Sequence, residues 1–254
     1  MKKLGLMALS LLTVVGLCAG DVFADNKTYV WTQEYKSLPQ NTVEVEAYTT
    51  LTVPDGKESA ENEWEYQGAV EYGVTDHLTL AHYQRWLTTN QIGVDENGAP
   101  NKDITKYEGF KFEAKYRFGE KGKYWLDPLI YIEWATDPQN DDNPNTIETK
   151  VVLSKDLGKF NFTYNQIMEN ELGSGGRMNN EFAVASNYEI LSDFFVGFEF
   201  TGQYWAPSTH RNEIALGPTV AWQNQYFWVA LGGLFGLNNA TDDYKARLAV
   251  GVPF

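Results

Sequence analysis

Along most of this chain every second residue is apolar, and no other feature restricts its fold as strongly. The clearest run sets Phe110, Phe112, Ala114, Tyr116 and Phe118 against Lys111, Glu113, Lys115 and Arg117. Successive side chains of a β-strand point to opposite faces, so a period of two gives one apolar wall and one polar wall. The same alternation sets Val43, Val45, Ala47 and Thr49 against Glu44, Glu46 and Tyr48. It sets Tyr66, Gly68, Val70, Tyr72 and Val74 against Glu65, Gln67, Ala69 and Glu71. It recurs with Ile130, Ile132 and Trp134, with Phe160, Phe162 and Tyr164, with Phe182, Val184 and Tyr188, and with Val196, Phe198 and Phe200. The last segment sets Tyr244, Ala246, Leu248, Val250, Val252 and Phe254 against Lys245, Arg247, Ala249, Gly251 and Pro253. Helical spacing explains none of these runs as economically. Two stretches do not resolve. Both faces are mixed over residues 78–87, so the direction of His82 stays open, and both are apolar over residues 226–237. Pro218 removes one ladder donor from its strand, where a bulge is expected.

The connections add an independent signal. Thr75-Asp76-His77, Lys155-Asp156-Leu157-Gly158, Leu191-Ser192-Asp193 and Gln223-Asn224-Gln225 read as tight turns. Longer polar stretches lie between them, at residues 54–63, 88–106, 137–146, 170–180, 206–212 and 238–243, and residues 119–127 are the irregular member. Short turns at one end and long loops at the other, in strict alternation, belong to outer-membrane barrels. The expected fold is all-β: a transmembrane antiparallel up-and-down barrel of about twelve strands. Mean hydropathy is −0.40, and after the first segment no apolar stretch reaches helical-span length. A helical membrane protein is thereby excluded, whereas a barrel needs only every second residue to meet lipid. Trp134, Tyr204 and Trp205 fall near the outer strand ends, and Tyr72, Phe118, Phe160, Tyr188, Trp222 and Tyr226 near the inner ones, where headgroup-level girdles are expected.

The beginning of the chain reads as a leader. Met1-Lys2-Lys3 precedes an apolar run over residues 4–19, and Val22-Phe23-Ala24 offers small residues at a cleavage site. The division expected is residues 1–24 as signal peptide, 25–41 as an N-terminal segment and 42–254 as the barrel. A lipoprotein anchored at Cys18 is the alternative, disfavoured by the bulky Leu17 before it. Cleavage after Ala24 would remove the chain's one cysteine, leaving no disulfide or thiolate metal site. Residues 26–41, with Tyr29, Trp31 and Tyr35 at spaced positions, could form an extra strand, an internal plug or a periplasmic tail. A final alternating strand ending on Phe254 resembles the signal read by the barrel-assembly machinery. Outer-membrane lipid and lipopolysaccharide are the other expected partners.

Charge bears on function. With 20 basic and 34 acidic residues the net charge is −14, which argues against a nucleic-acid partner. The face opposite the apolar wall would line the lumen. Its carboxylates include Glu44, Glu46, Glu65, Glu71, Glu113, Glu133, Glu148, Glu169, Glu181, Glu189, Glu199 and Glu213, and its cations include Lys111, Lys115, Arg117, Lys150, Lys245 and Arg247. Opposite charges in a small lumen should pair. Because the first and last strands meet on closure, Glu44 and Glu46 are expected to meet Lys245 and Arg247. Glu133, Glu148, Glu169, Glu181 and Glu213 should lie toward the outer mouth, with Lys150 as the one clear cation nearby. Such a ring would favour cations, and a narrow channel for small solutes of unknown identity is expected. A merely salt-bridged, structural lumen is the alternative. An enzymatic reading rests on Ser208, His210 and Glu213 or Asn212, as in a lipid hydrolase, but the segment reads as a loop and the order of serine and histidine is reversed. His77, His82 and His210 are too scattered for a metal triad. The acidic loops, Asp137 to Asp142 and Asp242-Asp243, match no defined calcium motif. No cofactor is implied.

Tyr29-Val30-Trp31 followed by Leu38-Pro39, Val43-Glu44-Val45-Glu46, and Glu71-Tyr72-Gly73-Val74-Thr75-Asp76 resemble segments of small outer-membrane proteins grouped with the phenol-degradation meta-pathway family. The resemblance is clear over the N-terminal third and elsewhere rests on pattern. It implies an outer-membrane barrel with a transport role. Its motifs are strand and turn signatures, Gly73 relaxing a strand end and Asp76 closing a turn, so no catalytic residue is carried over.

Overall fold

The computed structural model describes residues 26–56, 62–90, 104–139, 144–173, 175–205 and 212–254. The expected leader with Cys18, and Ser208 and His210, lie outside the described residues.

Twelve strands follow one another. They are β1 (Val43–Val53), β2 (Asn62–Thr75), β3 (Leu78–Asn90), β4 (Ile104–Arg117), β5 (Asp127–Thr136) and β6 (Asn145–Leu157). The second half comprises β7 (Phe160–Leu172), β8 (Met178–Leu191), β9 (Phe194–Trp205), β10 (Glu213–Gln223), β11 (Trp228–Gly236) and β12 (Tyr244–Pro253). Each pairs with its sequence neighbours, and β1 pairs antiparallel with β12, so the sheet closes and has no free edge. Closure is completed where Val43 and Phe254 exchange two backbone hydrogen bonds of 3.2 and 2.7 Å. That rim, which also carries the tight turns, is called the turn end here, and the opposite rim the loop end.

The alternation places apolar side chains outside. Val70, Phe112, Ile132, Phe198 and Leu231 present about half or more of their surface outward, a distribution that is stable only against hydrocarbon. Aromatic rings pack near both rims: Phe160 on Tyr188 (4.5 Å) and Trp222 on Phe227 (5.2 Å) at the turn end, and Trp86 on Tyr107 (6.0 Å) toward the loop end. The register also orients the two ambiguous segments. His82 lies opposite Val70 and Phe112 and faces outward, its ring 4.7 Å from that of Phe112. In β11 the inward residues are Trp228, Ala230 and Leu234, all buried, while Leu231 and Phe235 face out.

Bulges fall elsewhere than expected. The β10–β11 ladder omits Gly217 and Pro218, but pairing on either side, Ala215 with Gly236 and Thr219 with Gly232, keeps one register, so no residue is inserted at Pro218. The missing donor is accommodated by a gap in the ladder. A real irregularity lies between β3 and β4, where Gly109 adopts φ 87°. A Cβ there would sit 1.9 Å from the Thr136 carbonyl oxygen, so this kink requires glycine.

Candidate functional site

The interior is occupied in part by residues 26–41, which have no regular secondary structure. A coil in a lumen leaves its backbone donors and acceptors to the surrounding wall. Glu199 of β9 accepts the N–H groups of Val30, Trp31 and Thr32 at 2.8, 2.9 and 2.7 Å. Asn165 of β7 accepts from the Gln33 N–H (2.7 Å) and donates to the Gln33 carbonyl (2.9 Å). Nearer the turn end, Tyr29 donates to Asn161 (2.8 Å), Tyr35 to the Gly119 carbonyl (2.6 Å), and the Leu38 N–H to Thr79 (2.8 Å). Tyr29, Val30, Tyr35 and Leu38 are buried. Space is made by small residues: a Cβ on Gly232 would lie 2.5 Å from Val30 and 2.9 Å from Trp31.

Inward-facing charges are arranged in two zones. In the first, Lys115 is fully buried and reaches Glu71 at 2.8 Å and Glu113 at 3.5 Å. Lys27, from the N-terminal segment, pairs with Glu46 at 2.9 Å, lies 3.7 Å from Glu71 and also meets the Tyr48 hydroxyl. Burial alone would depress the Lys27 ammonium, but Glu46, Tyr48 and Glu71 override it and hold it well above its ordinary value. Glu44 accepts from the Trp228 indole at 2.9 Å.

The expected pairing of Glu44 and Glu46 with Lys245 and Arg247 does not form. Antiparallel closure sets the first residues of β1 against the last of β12, so Glu44 faces Pro253 and Glu46 faces Gly251, while Arg247 faces Thr50 and Lys245 faces Thr52. Arg247 instead donates to Thr50 (2.8 Å) and the Val30 carbonyl (3.0 Å), and Lys245 pairs with Asp242 (2.9 Å).

The second zone lies toward the loop end. Glu113, Glu133, Glu148 and Glu169 stand directly opposite one another across β4 to β7. Lys150 pairs with Glu148 at 2.8 Å, as the sequence suggested, but Lys111 is there too, 2.9 Å from Glu133. Lys111 faces Ala135 on the neighbouring strand, one inward position from Glu133. Glu181 and Glu213 both face Gln203, from β8 and β10, and neither forms an ion pair among the described residues. Glu213 turns inward with Gln203, while Ser208 and His210, its expected partners in the hydrolase alternative, lie outside the described residues. Sequence reasoning identified these carboxylates but missed Lys27, Trp31, Asn165 and Trp228. The spaced aromatics of the N-terminal segment were the only available sign of its burial.

Cavities open along the lumen among the described residues. An outer one of 260 Å³ is lined by Trp31, Glu181, Gln203, Glu213 and Lys245. A middle one of 180 Å³ lies between Lys27, Trp31, Glu113, Glu133 and Arg247. A third, of 210 Å³, opens among Thr28, Lys36, Asn161 and Asn187 toward the turn end. Trp31 borders both the outer and the middle cavity.

No protein-family model matches the sequence, and no curated protein matches it. Solved structures do. An outer membrane channel from Pseudomonas putida F1 superimposes with a TM-score of 0.62 at 12% identity, over 89% of this chain and 100% of that one. The NanC porin gives 0.54 at 12% identity over 83% and 98%, and the KdgM porin 0.53 at 8% over 83% and 99%. At such identities the likeness is one of fold, and it bears out the expectation of a small outer-membrane barrel.

Proposed function

We propose that this protein is a passive outer-membrane channel for small solutes, narrow and cation-preferring. Its apolar girdle suits a bilayer, and proteins of the same fold include channels and porins. Residues 26–41 restrict the lumen, so solutes larger than the cavities flanking Trp31 would be excluded. The observation that carries the cation preference is the outer cavity, where Glu181 and Glu213 stand without a cation partner among the described residues. Carboxylates in a low-dielectric vestibule concentrate cations and repel anions. The buried cluster around Lys115 and Lys27 sets two ammonium groups among Glu46, Glu71 and Glu113, and we assign it a structural role. The proposal includes export through the periplasm with removal of residues 1–24 and recognition of Phe254 during assembly.

Reversal potentials in planar bilayers under a KCl gradient test this reading. Small conductance with a cation-selective potential is expected, weakened in the Glu181→Gln, Glu213→Gln double variant. Anion selectivity, or no conductance at all, would refute it.

A further inference from the structure

The outer cavity is more than an acidic mouth. Its floor is the Trp31 ring, and Ile167 and Leu234 give it apolar sides. Glu181 and Glu213 each face Gln203, from the strands on either side of it. Two strand spacings separate their backbones by roughly 10 Å, and on the concave side of a barrel two glutamate side chains can converge across that gap. The floor is fixed in place. Glu199 anchors the Trp31 N–H at 2.9 Å, the absent side chain of Gly232 leaves the ring its space, and the Arg247 guanidinium, which lines the middle cavity, lies 5.6 Å from the ring centre. Lys245 also lines the outer cavity but is engaged by Asp242 at 2.9 Å.

We infer that this cavity is a binding site for a small organic cation, a primary ammonium on an aromatic or alkyl body. The ammonium sits between Glu181 and Glu213, and the body lies over Trp31. Each competing class fits worse. A hydrated metal ion gains nothing from Trp31, Ile167 and Leu234. A neutral apolar solute leaves two carboxylates desolvated and unpartnered, which is costly. An anion is repelled. An ammonium offers three donors to the carboxylates and the Gln203 amide oxygen. The volume of 260 Å³ lies just under the range of about 300–1,000 Å³ usual for drug-sized ligands, which suits a ligand of roughly ten heavy atoms. The site rests on the channel reading in that it would be the channel's outer recognition point.

Calorimetry on the refolded mature chain with 2-phenylethylamine, 2-phenylethanol and 3-phenylpropanoate tests it. The amine should bind, the alcohol at least roughly tenfold more weakly, and the carboxylate not measurably. Glu181→Gln and Glu213→Gln should each weaken the amine roughly tenfold without weakening the alcohol, whereas Trp31→Ala should weaken both. Equal affinity for amine and alcohol, or amine binding untouched by both glutamine variants, would overturn the site even if the pore conducts normally. Where a variant fails to refold, the wild-type ranking of the three probes still decides. Amine binding by a protein that carries no current would instead sink the channel reading and leave the site standing.

Discussion

Glu199 shows what a single lumenal side chain can do for a segment that has no secondary structure of its own. Its carboxylate accepts three consecutive backbone N–H groups, from Val30, Trp31 and Thr32. Hydrogen bonds to a charged acceptor are worth about 1.5–3 kcal/mol each, and stranding the donors costs more. Glu199→Leu should therefore release residues 26–41 while the barrel survives, seen as new tryptic cleavage at Lys27 or Lys36 in the refolded protein; full protection would show that other contacts suffice. Lys27 gives a second prediction at this scale. Its ammonium is held above the ordinary value of 10.5, so on the alkaline side its attraction to Glu46 and Glu71 fades only as pH rises through the higher folded value. Protection of the segment should persist to about pH 10 and decline above; a loss setting in between about pH 8 and 10 would exclude Lys27 as a tether. The inward direction of Glu199 was legible in its strand pattern. Its role was not, because its partners lie 167–169 residues away and leave no local periodicity.

At the scale of elements, strands were legible wherever the hydrocarbon side demanded apolar residues and the lumen tolerated polar ones. Both exceptions have a physical cause. In β11 the inner wall is apolar too, because Trp228 and Ala230 pack with Val30 of the N-terminal segment. In β3 the outer wall is partly polar: His82 and Gln84 contact each other at 2.7 Å, and Tyr107 donates to Gln84 at 2.6 Å on the outward face. The expected bulge at Pro218 failed for a related reason, since a ladder can lose one donor without gaining a residue. The outward face makes a quantitative prediction. Phe198→Arg, at a position 63% exposed on the outer wall, should lower folding stability in lipid by about 2–4 kcal/mol if it sits near the midplane. Urea titration of the protein in vesicles measures this; no loss would mean that Phe198 does not meet hydrocarbon.

For the whole molecule, closure turns a strand pattern into a container, and the contents of that container were the least legible part. The sequence located the carboxylates and the outer mouth. It could not reveal the register that joins β1 to β12, which is why Glu44 and Glu46 were matched with the wrong cations, nor that an irregular segment would divide the lumen at Trp31. Such features arise from pairing across the barrel, not from neighbours along the chain. Everything else depends on alternate residues facing opposite media, and β5 allows that to be measured directly. With Cys18 the only cysteine in the sequence, single cysteines can be placed at Ile130, Tyr131, Ile132 and Glu133 in a Cys18→Ser background and spin-labelled in bilayers. Alternation with closure predicts that labels at Ile130 and Ile132 collide with lipid-dissolved oxygen, whereas those at Tyr131 and Glu133 are shielded from it; equal oxygen accessibility at all four positions, or the reverse order, would contradict it.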